Sequence, residues 1–446
     1  MRPPLPRGPF LVVGLARSGQ AALRLLAARG ERAVGVDSGR PELPLDLGVE
    51  VHLDSDGLDL LDGVATVVKS PGVPTTAAVV AAARERGIEV IGELELAWRL
   101  LPNRFVAVTG TNGKTTTVEL LGAIWRAAGL EVAVAGNVGT PLSALVGELD
   151  PAATVICEAS SFQLEDAIAF APEVAVLLNV EPDHLDRHGD LAAYRAAKER
   201  IFARQRPEDF AVAPADLVPA GAASWVGFGP GTDCEVFDGA IRFRGEPVLP
   251  VRELRLRGAH NLDNALAATA AALADAAAGG SAPCHAPGAV TPAAVGAALR
   301  AFPGVEHRLE EVATVAGVLY VNDSKATNPA SALRALQAFE GGVHAILGGS
   351  LKGGGFEALR GEVAARCAAV YLVGDAADRL AADLDGAAPL VRSATVERAV
   401  ADASDAAAAG EVVLLSPACA SFDAFDSYEH RGRRFKELAA ALETAE

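Results

Sequence analysis

The stretch VAVTGTNGKTTTVELL, residues 106–121, decides how the rest of the chain is interpreted. A short apolar run that ends at Val108 meets a loop of Thr and Gly, which is followed by Lys114 and a helical pattern. Such a loop can turn its backbone N–H groups toward an anion, and the helix that begins there adds the positive end of its dipole. Lys114 can reach the outer phosphates of a nucleotide, and the Thr115 hydroxyl can hold Mg²⁺. The stretch therefore predicts a phosphate-binding loop made of Gly110, Thr111, Asn112, Gly113, Lys114, Thr115 and Thr116.

Composition limits the classes of protein to which the chain can belong. The chain has 446 residues, and 50% of them are hydrophobic, so several domains with full cores are possible. It lacks an uncharged apolar run of ~18 residues, so we expect no membrane span. The net charge of −18 argues against non-specific nucleic-acid binding. The five cysteines are dispersed without a C-x-x-C pair, which predicts reduced thiols in the cytoplasm rather than disulfides or a zinc site.

Short apolar strands alternate with helical patterns along the chain, which predicts an α/β fold with mostly parallel sheets. A first unit ends near residue 101, and a second opens with the strand before the phosphate-binding loop. A Gly-, Pro- and Ala-rich segment then precedes a third unit. We therefore expect three domains, with Rossmann-like domains at residues 1–101 and 302–446 around a central domain at residues 102–301.

Two strands of the central domain end in polar residues. Glu158 closes the apolar run of ATVICEASSFQL, and His184 follows the run of VAVLLNVEPDHLDRHG. Ligands of open parallel sheets bind outside the carboxyl ends of the strands. We expect Glu158 to meet Mg²⁺ and His184 to meet metal or phosphate. The alternatives are a helix-capping Glu158 and a solvent-facing His184.

Two further patterns are ambiguous in isolation. Lys198 lies in YRAAKERIF, whose amphipathic pattern alone predicts an ordinary solvated lysine. LVVGLARSG near the N-terminus is half of a dinucleotide fingerprint, with Ala16 where the second glycine is expected. Asp37 ends the next strand, where a ribose-binding acid often lies, so a nicotinamide-dependent dehydrogenase is one hypothesis for this domain.

A series of motifs spans nearly the whole chain: VTGTNGKTT, EASSFQL, NVEPDHLDRHG, YRAAKERIF, GAHNLDNALAA, FPGVEHRLE, NDSKATN and LSPACASFDAF. In this order they resemble the Mur ligase family, and most narrowly its members that join D-glutamate to UDP-N-acetylmuramoyl-L-alanine. The resemblance implies one domain each for the UDP-sugar, ATP and the amino acid. It further implies an ADP-forming amide ligase with an acyl-phosphate intermediate, acting as a cytoplasmic monomer in peptidoglycan precursor synthesis.

The resemblance also implies roles for individual residues. The residues expected to take part in catalysis are Lys114, Glu158, His184, Lys198 and Lys325. Lys198 is expected to carry a carbamate formed from CO₂. The Mg²⁺ ligands, for two expected sites, are Thr115, Glu158, His184 and carbamylated Lys198. The nucleotide contacts outside the loop are Asn261, Asn264, His307, Arg308 and Asp323.

The remaining implied residues bind the two other substrates. Those expected at the UDP group are Arg17, Ser18, Asp37, Ser38 and Gly72. Those expected at the sugar and its peptide stem are Asn137, Ser160 and Gln163. Those expected at the amino acid, together with Lys325, are Thr327, Lys352, Ser421 and Tyr428.

Three competing functions stay open on the sequence. A folylpolyglutamate synthase-like or other Mur-type ligase shares the phosphate-binding loop, but the former should lack the ~100 residues that precede the loop here. A dehydrogenase would leave that loop unexplained. A nucleotide-dependent switch would leave the third domain unexplained. Phosphate release from ATP with each candidate acceptor discriminates among them.

Overall fold

A computed structural model describes residues 2–44, 47–277, 290–351 and 355–443 of the chain. The chain divides into two compact units, one of residues 1–254 with 263–301, and one of residues 255–262 with 302–446. The first unit contains two sheets and the second contains one. The predicted α/β fold, with a sheet in each of three parts of the chain, is confirmed.

The N-terminal sheet is parallel throughout, with the strand order β3-β2-β1-β4-β5. Its strands are β1 (Phe10–Val13), β2 (Ala33–Val36), β3 (Glu50–His52), β4 (Thr66–Lys69) and β5 (Glu89–Gly92). Its helices are α1 (Arg17–Ala28), α2 (Ala78–Glu85) and α3 (Glu93–Leu100). The chain leaves the central strand β1 first toward β2 and later returns to β4 on its other side. The sheet therefore has a topological switch point between β1 and β4, where such folds bind ligands.

The middle sheet has the order β14-β13-β12-β11-β10-β9-β6-β8-β7 and is parallel from β7 to β12. Its strands are β6 (Arg104–Thr109), β7 (Val132–Gly136), β8 (Thr154–Glu158), β9 (Val174–Leu177), β10 (Phe210–Pro214), β11 (Ser224–Phe228), β12 (Cys234–Phe237), β13 (Ala240–Phe243) and β14 (Glu246–Pro250). The helices that follow in chain order are α4 (Lys114–Ala127), α5 (Ser161–Leu164), α6 (Leu185–His188), α7 (Leu191–Glu199), α8 (Ala259–Ala277) and α9 (Pro292–Ala301). Strands β6, β8 and β9 are buried over nearly their whole length, as expected for a parallel sheet covered on both faces.

The edge of the middle sheet is antiparallel, because β12, β13 and β14 follow one another through tight turns. Asp238 and Gly239 link β12 to β13 with φ of 51° and 69°. Two positive φ values in a two-residue connection match the twist of a hairpin, and Asp-Gly is a preferred pair for it. The antiparallel pairing of β12 with β13 thus follows from the residues of the turn between them.

The third sheet has the order β15-β16-β20-β17-β18-β19 and is parallel except for the β15–β16 pair. Its strands are β15 (Glu310–Val315), β16 (Val318–Asn322), β17 (Val343–Gly348), β18 (Cys367–Val373), β19 (Leu390–Ala394) and β20 (Val412–Leu415). Its helices are α10 (Pro329–Gln337), α11 (Arg360–Arg366), α12 (Ala377–Asp383), α13 (Val396–Ala406) and α14 (Tyr428–Glu443). Separate apolar clusters cover its two faces.

Two buried glutamates of α3 join the N-terminal part of the first unit to the middle sheet. The Glu95 carboxylate accepts hydrogen bonds from the backbone N–H groups of Ile168, Ala169 and Phe170 at 2.9–3.2 Å. Glu93 accepts one from Ser143 N at 2.6 Å. Buried carboxylates are costly unless they accept such bonds, so these contacts fix where α3 lies. The two sheets consequently form one compact unit.

In the part of the chain that the structure describes, every helix is too short or too polar to cross a membrane.

Candidate active site

The predicted phosphate-binding loop lies between β6 and α4. Gly113 has φ of 84°, a left-handed backbone that turns the chain into α4. The Lys114 ammonium donates to the carbonyls of Gly110 at 2.9 Å and Thr111 at 3.0 Å. The loop thus has the backbone curvature and helix start that bind phosphate, with a cation at its centre.

The segment after β9 supports the loop from the side. Asn112 N donates to Asn179 Oδ1 at 2.9 Å, and Asn112 Nδ2 donates to Glu181 Oε2 at 3.2 Å. Thr111 Oγ1 accepts from Glu181 N at 3.0 Å. Asn179 and Glu181 were missed by the sequence interpretation, which took this segment only as the source of His184. Thr116, also assigned to the loop, is buried in the first turn of α4.

Asn264 lies against the loop, and its contact with the nucleotide stays a prediction. A Cβ atom on Gly113 would come within 2.1 Å of Asn264 Oδ1, so only glycine permits this approach. Asn261, in the second compact unit, donates from Nδ2 to Arg257 O at 2.8 Å.

Gly113→Ala is expected to destabilise the protein and to weaken binding of ADP, a phosphate-bearing probe. Gly129→Ala is the matched control, because Gly129 follows the end of the same helix with φ of 72° and has open space within 4 Å of the position that a Cβ atom would take. The left-handed backbone alone should cost about 1–2 kcal/mol at either position, and overpacking should add about 1–3 kcal/mol at Gly113 only. Chemical denaturation and ADP titration measure both effects. Equal losses in the two variants would contradict the steric argument.

A buried carboxylate faces the mouth of the loop. Glu158, 2% exposed, ends β8, which pairs with β6 and β7. Its Oε2 accepts from Thr115 Oγ1 at 2.9 Å, and its Oε1 accepts from Asn137 Nδ2 at 3.0 Å. A hydroxyl and a carboxylate are the oxygen donors that Mg²⁺ prefers. The pair fits a magnesium ion, and Asn137 orients the carboxylate.

Lys198 is not the solvated lysine that its helical pattern alone predicts. Its side chain on α7 is 1% exposed, and Nζ donates to Gly110 O at 2.7 Å. Burial, with the nearby charge of Lys114 acting in the same direction, lowers the pKa of Lys198 to about 6. The neighbouring Asp183 carboxylate opposes this shift. The amine therefore lies beside the phosphate-binding loop and is largely neutral at pH 7.

An aromatic cluster surrounds Lys198 and His184. The Tyr194 ring centroid lies 4.3 Å from Lys198 Nζ and 6.4 Å from the His184 ring centroid. His184 also packs 5.0 Å from Phe162, and its half-exposed side chain places Nε2 3.7 Å from Asp183 Oδ2. Burial raises the pKa of Tyr194 to about 12, so its hydroxyl stays protonated. The metal role of His184 stays a prediction, and Tyr194 was missed by the sequence interpretation.

The residues predicted to bind the UDP group follow the carboxyl ends of β1, β2 and β4. Arg17 and Ser18 open α1, while Asp37 and Ser38 follow β2. The Asp37 carboxylate accepts from Leu15 N at 2.6 Å and Gly39 N at 2.8 Å, so it joins two of the loops. Gly72 is open, with no atom within 4 Å of the place a Cβ would take. Those after β1 and β4 lie at the strand ends that border the switch point, and those after β2 lie one strand further along the sheet.

Ser160 and Gln163 form a capping box at the start of α5. Ser160 Oγ accepts from Gln163 N at 3.2 Å, and Gln163 Oε1 accepts from Ser160 N at 2.9 Å. This local role is sufficient to explain both residue types. Their contact with a sugar or peptide stem stays a prediction.

In the second compact unit, Asp323 and His307 are buried next to β16. Asp323 Oδ2 accepts from Ser416 Oγ at 2.7 Å, and Oδ1 accepts from Leu309 N at 3.2 Å. Burial raises the pKa of Asp323 to about 7, with the nearby Arg308 charge opposing the shift. His307 Nδ1 lies 2.8 Å from Asn322 Nδ2, and burial lowers the pKa of His307.

The residues predicted to bind the amino acid lie on two loops, one after β16 and one after β20. The first loop carries Lys325 and Thr327. The backbone N–H of Thr327 donates to Lys325 O at 2.9 Å. The second carries the buried Ser421, and it leads to Tyr428, whose ring centroid is 5.4 Å from Lys325 Nζ. Lys352, predicted for the same site, lies outside the described residues.

Arg431 joins these two loops and was missed by the sequence interpretation. It is 2% exposed on α14 and donates to Ser324 O at 2.9 Å, and to the carbonyls of Cys419 and Ala420 at 3.1 Å each. Burial lowers the pKa of Arg431 to about 10, so it remains charged at neutral pH. The sequence did contain a signal for its burial, because Arg431, Phe435 and Ala439 are spaced four residues apart and so lie on one face of α14.

Three domain families match the chain. They are the Mur ligase MurD-like N-terminal domain at residues 9–92, the Mur ligase middle domain at residues 108–224, and the Mur ligase glutamate ligase domain at residues 307–419.

Relatives match over nearly the full length. A protein of Acidobacterium capsulatum named UDP-N-acetylmuramoylalanine–D-glutamate ligase is 43% identical over 97% of this chain and 96% of its own. One of the same name from Koribacter versatilis is 42% identical over 97% of both chains.

Solved structures share the fold at lower identity. UDP-N-acetylmuramate-alanine ligase MurC of Thermotoga maritima aligns with a TM-score of 0.60 and 19% identity over 97% of this chain and 99% of its own. MurF ligase of the same organism, solved in complex with ADP, aligns with a TM-score of 0.57 and 18% identity over 99% and 96%.

Proposed function

The chain belongs to the Mur ligase family, and we propose that it joins D-glutamate to UDP-N-acetylmuramoyl-L-alanine with conversion of ATP to ADP and phosphate. The relatives that are 42–43% identical over nearly the full length carry this activity in their names. One structural observation supports it most strongly. The buried amine of Lys198 lies 2.7 Å from Gly110 O, beside a phosphate-binding loop that also meets Glu158 through Thr115.

The proposed reaction has two steps. The carboxylate of the alanyl substrate attacks the γ-phosphorus of ATP, forming an acyl phosphate as ADP leaves. The neutral amine of D-glutamate then attacks the acyl carbon, and the amide forms as phosphate leaves. Lys114 and the loop N–H groups neutralise charge on the phosphoryl oxygens, which lowers the barrier of the first step.

The donor set fits Mg²⁺, as the contact between Thr115 and Glu158 indicates. We propose two Mg²⁺ sites, held by these two residues, His184 and the carbamate of Lys198. When bound, Mg²⁺ offsets negative charge on the phosphate oxygens. The role of Asn137 toward the ion is indirect, because its amide donates to the Glu158 carboxylate.

The carbamate requires a neutral lysine, which the pocket around Lys198 supplies. The Nζ lone pair attacks the carbon of CO₂, an N–C bond forms, one C=O electron pair moves to oxygen, and a proton leaves the nitrogen. An ordinary lysine is protonated at neutral pH, whereas the lowered pKa of Lys198 leaves the pair free. The product is a lysine carbamate, which is an anion resembling a carboxylate instead of the cation of an ordinary lysine.

The domain and substrate assignments are part of the proposal. Residues 1–101, 102–301 and 302–446 are proposed to bind the UDP-sugar, ATP and D-glutamate in turn, each with the residues assigned to it above. Asn261, Asn264, His307, Arg308 and Asp323 are proposed to contact the nucleotide. The enzyme is proposed to act as a cytoplasmic monomer in peptidoglycan precursor synthesis.

An assay of phosphate release tests the proposed function. Release is expected only when ATP, Mg²⁺ and UDP-N-acetylmuramoyl-L-alanine are all present, and amide product only when D-glutamate is added. Folate substrates in place of the UDP-sugar are expected to give no release. Rapid ATP hydrolysis without an acceptor would indicate a nucleotide switch instead of a ligase.

D-Glutamate is expected to be preferred over L-glutamate and D-glutamine. Inversion at the α-carbon of L-glutamate misplaces the attacking amine, and D-glutamine lacks the second carboxylate that Lys325 or Lys352 would pair. Leaving one of these cations unpaired should cost about 1–3 kcal/mol, or roughly fivefold to 160-fold in kcat/KM. Amide formation with each amino acid at fixed ATP measures the preference. Equal use of D-glutamine and D-glutamate would refute this assignment of the site.

Lys352→Ala complements that comparison. It should raise the KM for D-glutamate far more than the KM for ATP, because only the amino acid is proposed to contact Lys352.

A further inference from the structure

The turn of residues 70–73, between β4 and α2, is held by two cations that act on its carbonyl groups. Lys69 Nζ lies 2.8 Å from Val73 O. Arg187, on α6, donates to Pro71 O at 2.8 Å and to Val73 O at 3.3 Å. The turn contains Gly72, which is proposed above to contact the UDP group.

The bond from Arg187 fixes the direction of one particular N–H group. Pro71 C=O and Gly72 N–H belong to the same peptide unit, and in a trans peptide these two groups point in opposite directions. With Pro71 O turned toward Arg187, the Gly72 N–H points away from it. A cation on the carbonyl also polarises the peptide and makes its N–H a stronger donor.

Both cations are held by consecutive carboxylates just after α5. Arg187 Nη2 lies 3.0 Å from Glu165 Oε2, and Lys69 Nζ lies 2.8 Å from Asp166 Oδ2. The side chains of Lys69 and Asp166 are 0% and 1% exposed. Burial lowers the pKa of Lys69 and raises that of Asp166, while their mutual attraction opposes both shifts. The Lys69–Asp166 pair is therefore a buried ion pair that is shielded from solvent and held in one geometry.

Two more contacts fix Arg187 on the side of the middle sheet. Its guanidinium carbon lies 3.8 Å from the Phe162 ring centroid. Glu165 is shared with His188, whose Nδ1 lies 3.3 Å from Oε1 and whose Nε2 lies 3.1 Å from Ser161 Oγ. The guanidinium thus packs on an aromatic ring and pairs with Glu165 through Nη2, while Nη1 and Nη2 donate to the carbonyls of the turn.

We infer that Arg187 is a positioning residue for the UDP-sugar: it holds the 70–73 turn so that the Gly72 N–H faces the ligand. Lys69, paired with Asp166, holds the turn at Val73 O. The inference rests on the proposed function, because it takes the UDP group as the ligand of this turn. Arg187, which lies in the middle part of the chain, would thereby contribute to substrate recognition at the N-terminal sheet.

Calorimetric titration of the full-length protein with UDP, and separately with ADP, tests the inference. Arg187→Met should weaken UDP binding by about tenfold to a hundredfold, because charge-assisted hydrogen bonds to the turn are lost. ADP affinity should change less than about twofold, because the Arg187 guanidinium donates to the 70–73 turn and to Glu165 and not to the phosphate-binding loop. Arg195→Met is the matched control, because Arg195 is exposed on α7 and pairs with Glu199. It should leave both affinities unchanged.

Kinetics and a conservative variant separate positioning from general stability. In Arg187→Met the KM for the UDP-sugar should rise while the KM for ATP stays constant. Arg187→Lys keeps the charge and should recover part of the UDP affinity even if Arg187→Met folds poorly. Wild-type affinity for UDP in both folded variants, or an equal loss of UDP and ADP binding, would overturn the inference. A wild-type protein that binds ADP but not UDP would instead overturn the proposed function.

Discussion

Replacing Lys198 by Ala is expected to lower the rate of amide formation by about a thousandfold, because the anionic carbamate proposed to act on the phosphoryl transfer is lost from a buried site. Acetate or formate should restore part of the activity by filling the space that the proposed carbamate would occupy. The amine is buried against Gly110 O, so an added carboxylate would act directly beside the phosphate-binding loop. Initial rates of phosphate release, with and without the added carboxylate, measure both effects.

Arg195→Ala provides the control for this experiment. Arg195 lies on the same helix, α7, with a side chain that is 44% exposed and paired with Glu199. Its replacement should leave activity unchanged and independent of added carboxylate. Full activity of Lys198→Ala, or mass measurements showing an unmodified lysine in the active metal-bound enzyme, would exclude the carbamate.

The lowered pKa of Lys198 also gives a direction for the effect of pH. Protonation as the pH falls through about 6 removes the lone pair that attacks CO₂. Enzyme depleted of CO₂ should therefore regain activity on addition of bicarbonate at pH 8 but much less at pH 5. Recovery that is equal at both values would contradict the role of a neutral amine.

The parts of the site that the sequence predicted are those set by local structure. The phosphate-binding loop needs a strand, a glycine-rich turn and a helix in immediate succession, and all three are visible in residues 105–121. Glu158 was found for a similar reason. An acidic residue at the carboxyl end of a buried parallel strand lies at the ligand-binding edge of the sheet, and this placement does not depend on the rest of the fold.

The parts that needed the structure depend on contacts between distant segments. The amphipathic pattern of α7 is compatible with an exposed or a buried Lys198, and the docking of α7 against Gly110 decides between them. The Lys69–Asp166 pair is likewise buried, and its two members are far apart in the sequence. Charged residues are seldom fully buried, so a sequence pattern places them on the surface unless the partner is known.

The structure also shows competing roles for residues that the resemblance assigned to substrates. The Asp37 carboxylate already accepts two backbone N–H bonds, and Ser160 with Gln163 already caps α5. Each side chain is therefore held in one orientation before any ligand binds. Such fixed orientation suits a binding residue, but a sequence motif cannot separate the structural role from the binding role.

Lys114→Ala is expected to reduce turnover by about a thousandfold or more, because the charge proposed to neutralise the transferred phosphoryl group is lost. ADP binding should weaken much less, since the backbone N–H groups of the loop remain. Single-turnover phosphate release and ADP titration separate the two effects. Turnover within about tenfold of the wild type would contradict the assignment.

The same substitution should act on Lys198, because the Lys114 charge is one of the causes that lower its pKa. Without that charge the pKa of Lys198 rises, less of the amine is neutral at pH 7, and the anionic carbamate loses a neighbouring cation. Both changes disfavour carbamate formation. The two lysines should therefore behave as one unit, so the double variant Lys114→Ala/Lys198→Ala should be little slower than either single variant. Additive losses in this double-mutant cycle would show that Lys114 and Lys198 act independently, and mass spectrometry of Lys114→Ala should then find the carbamate at its wild-type level.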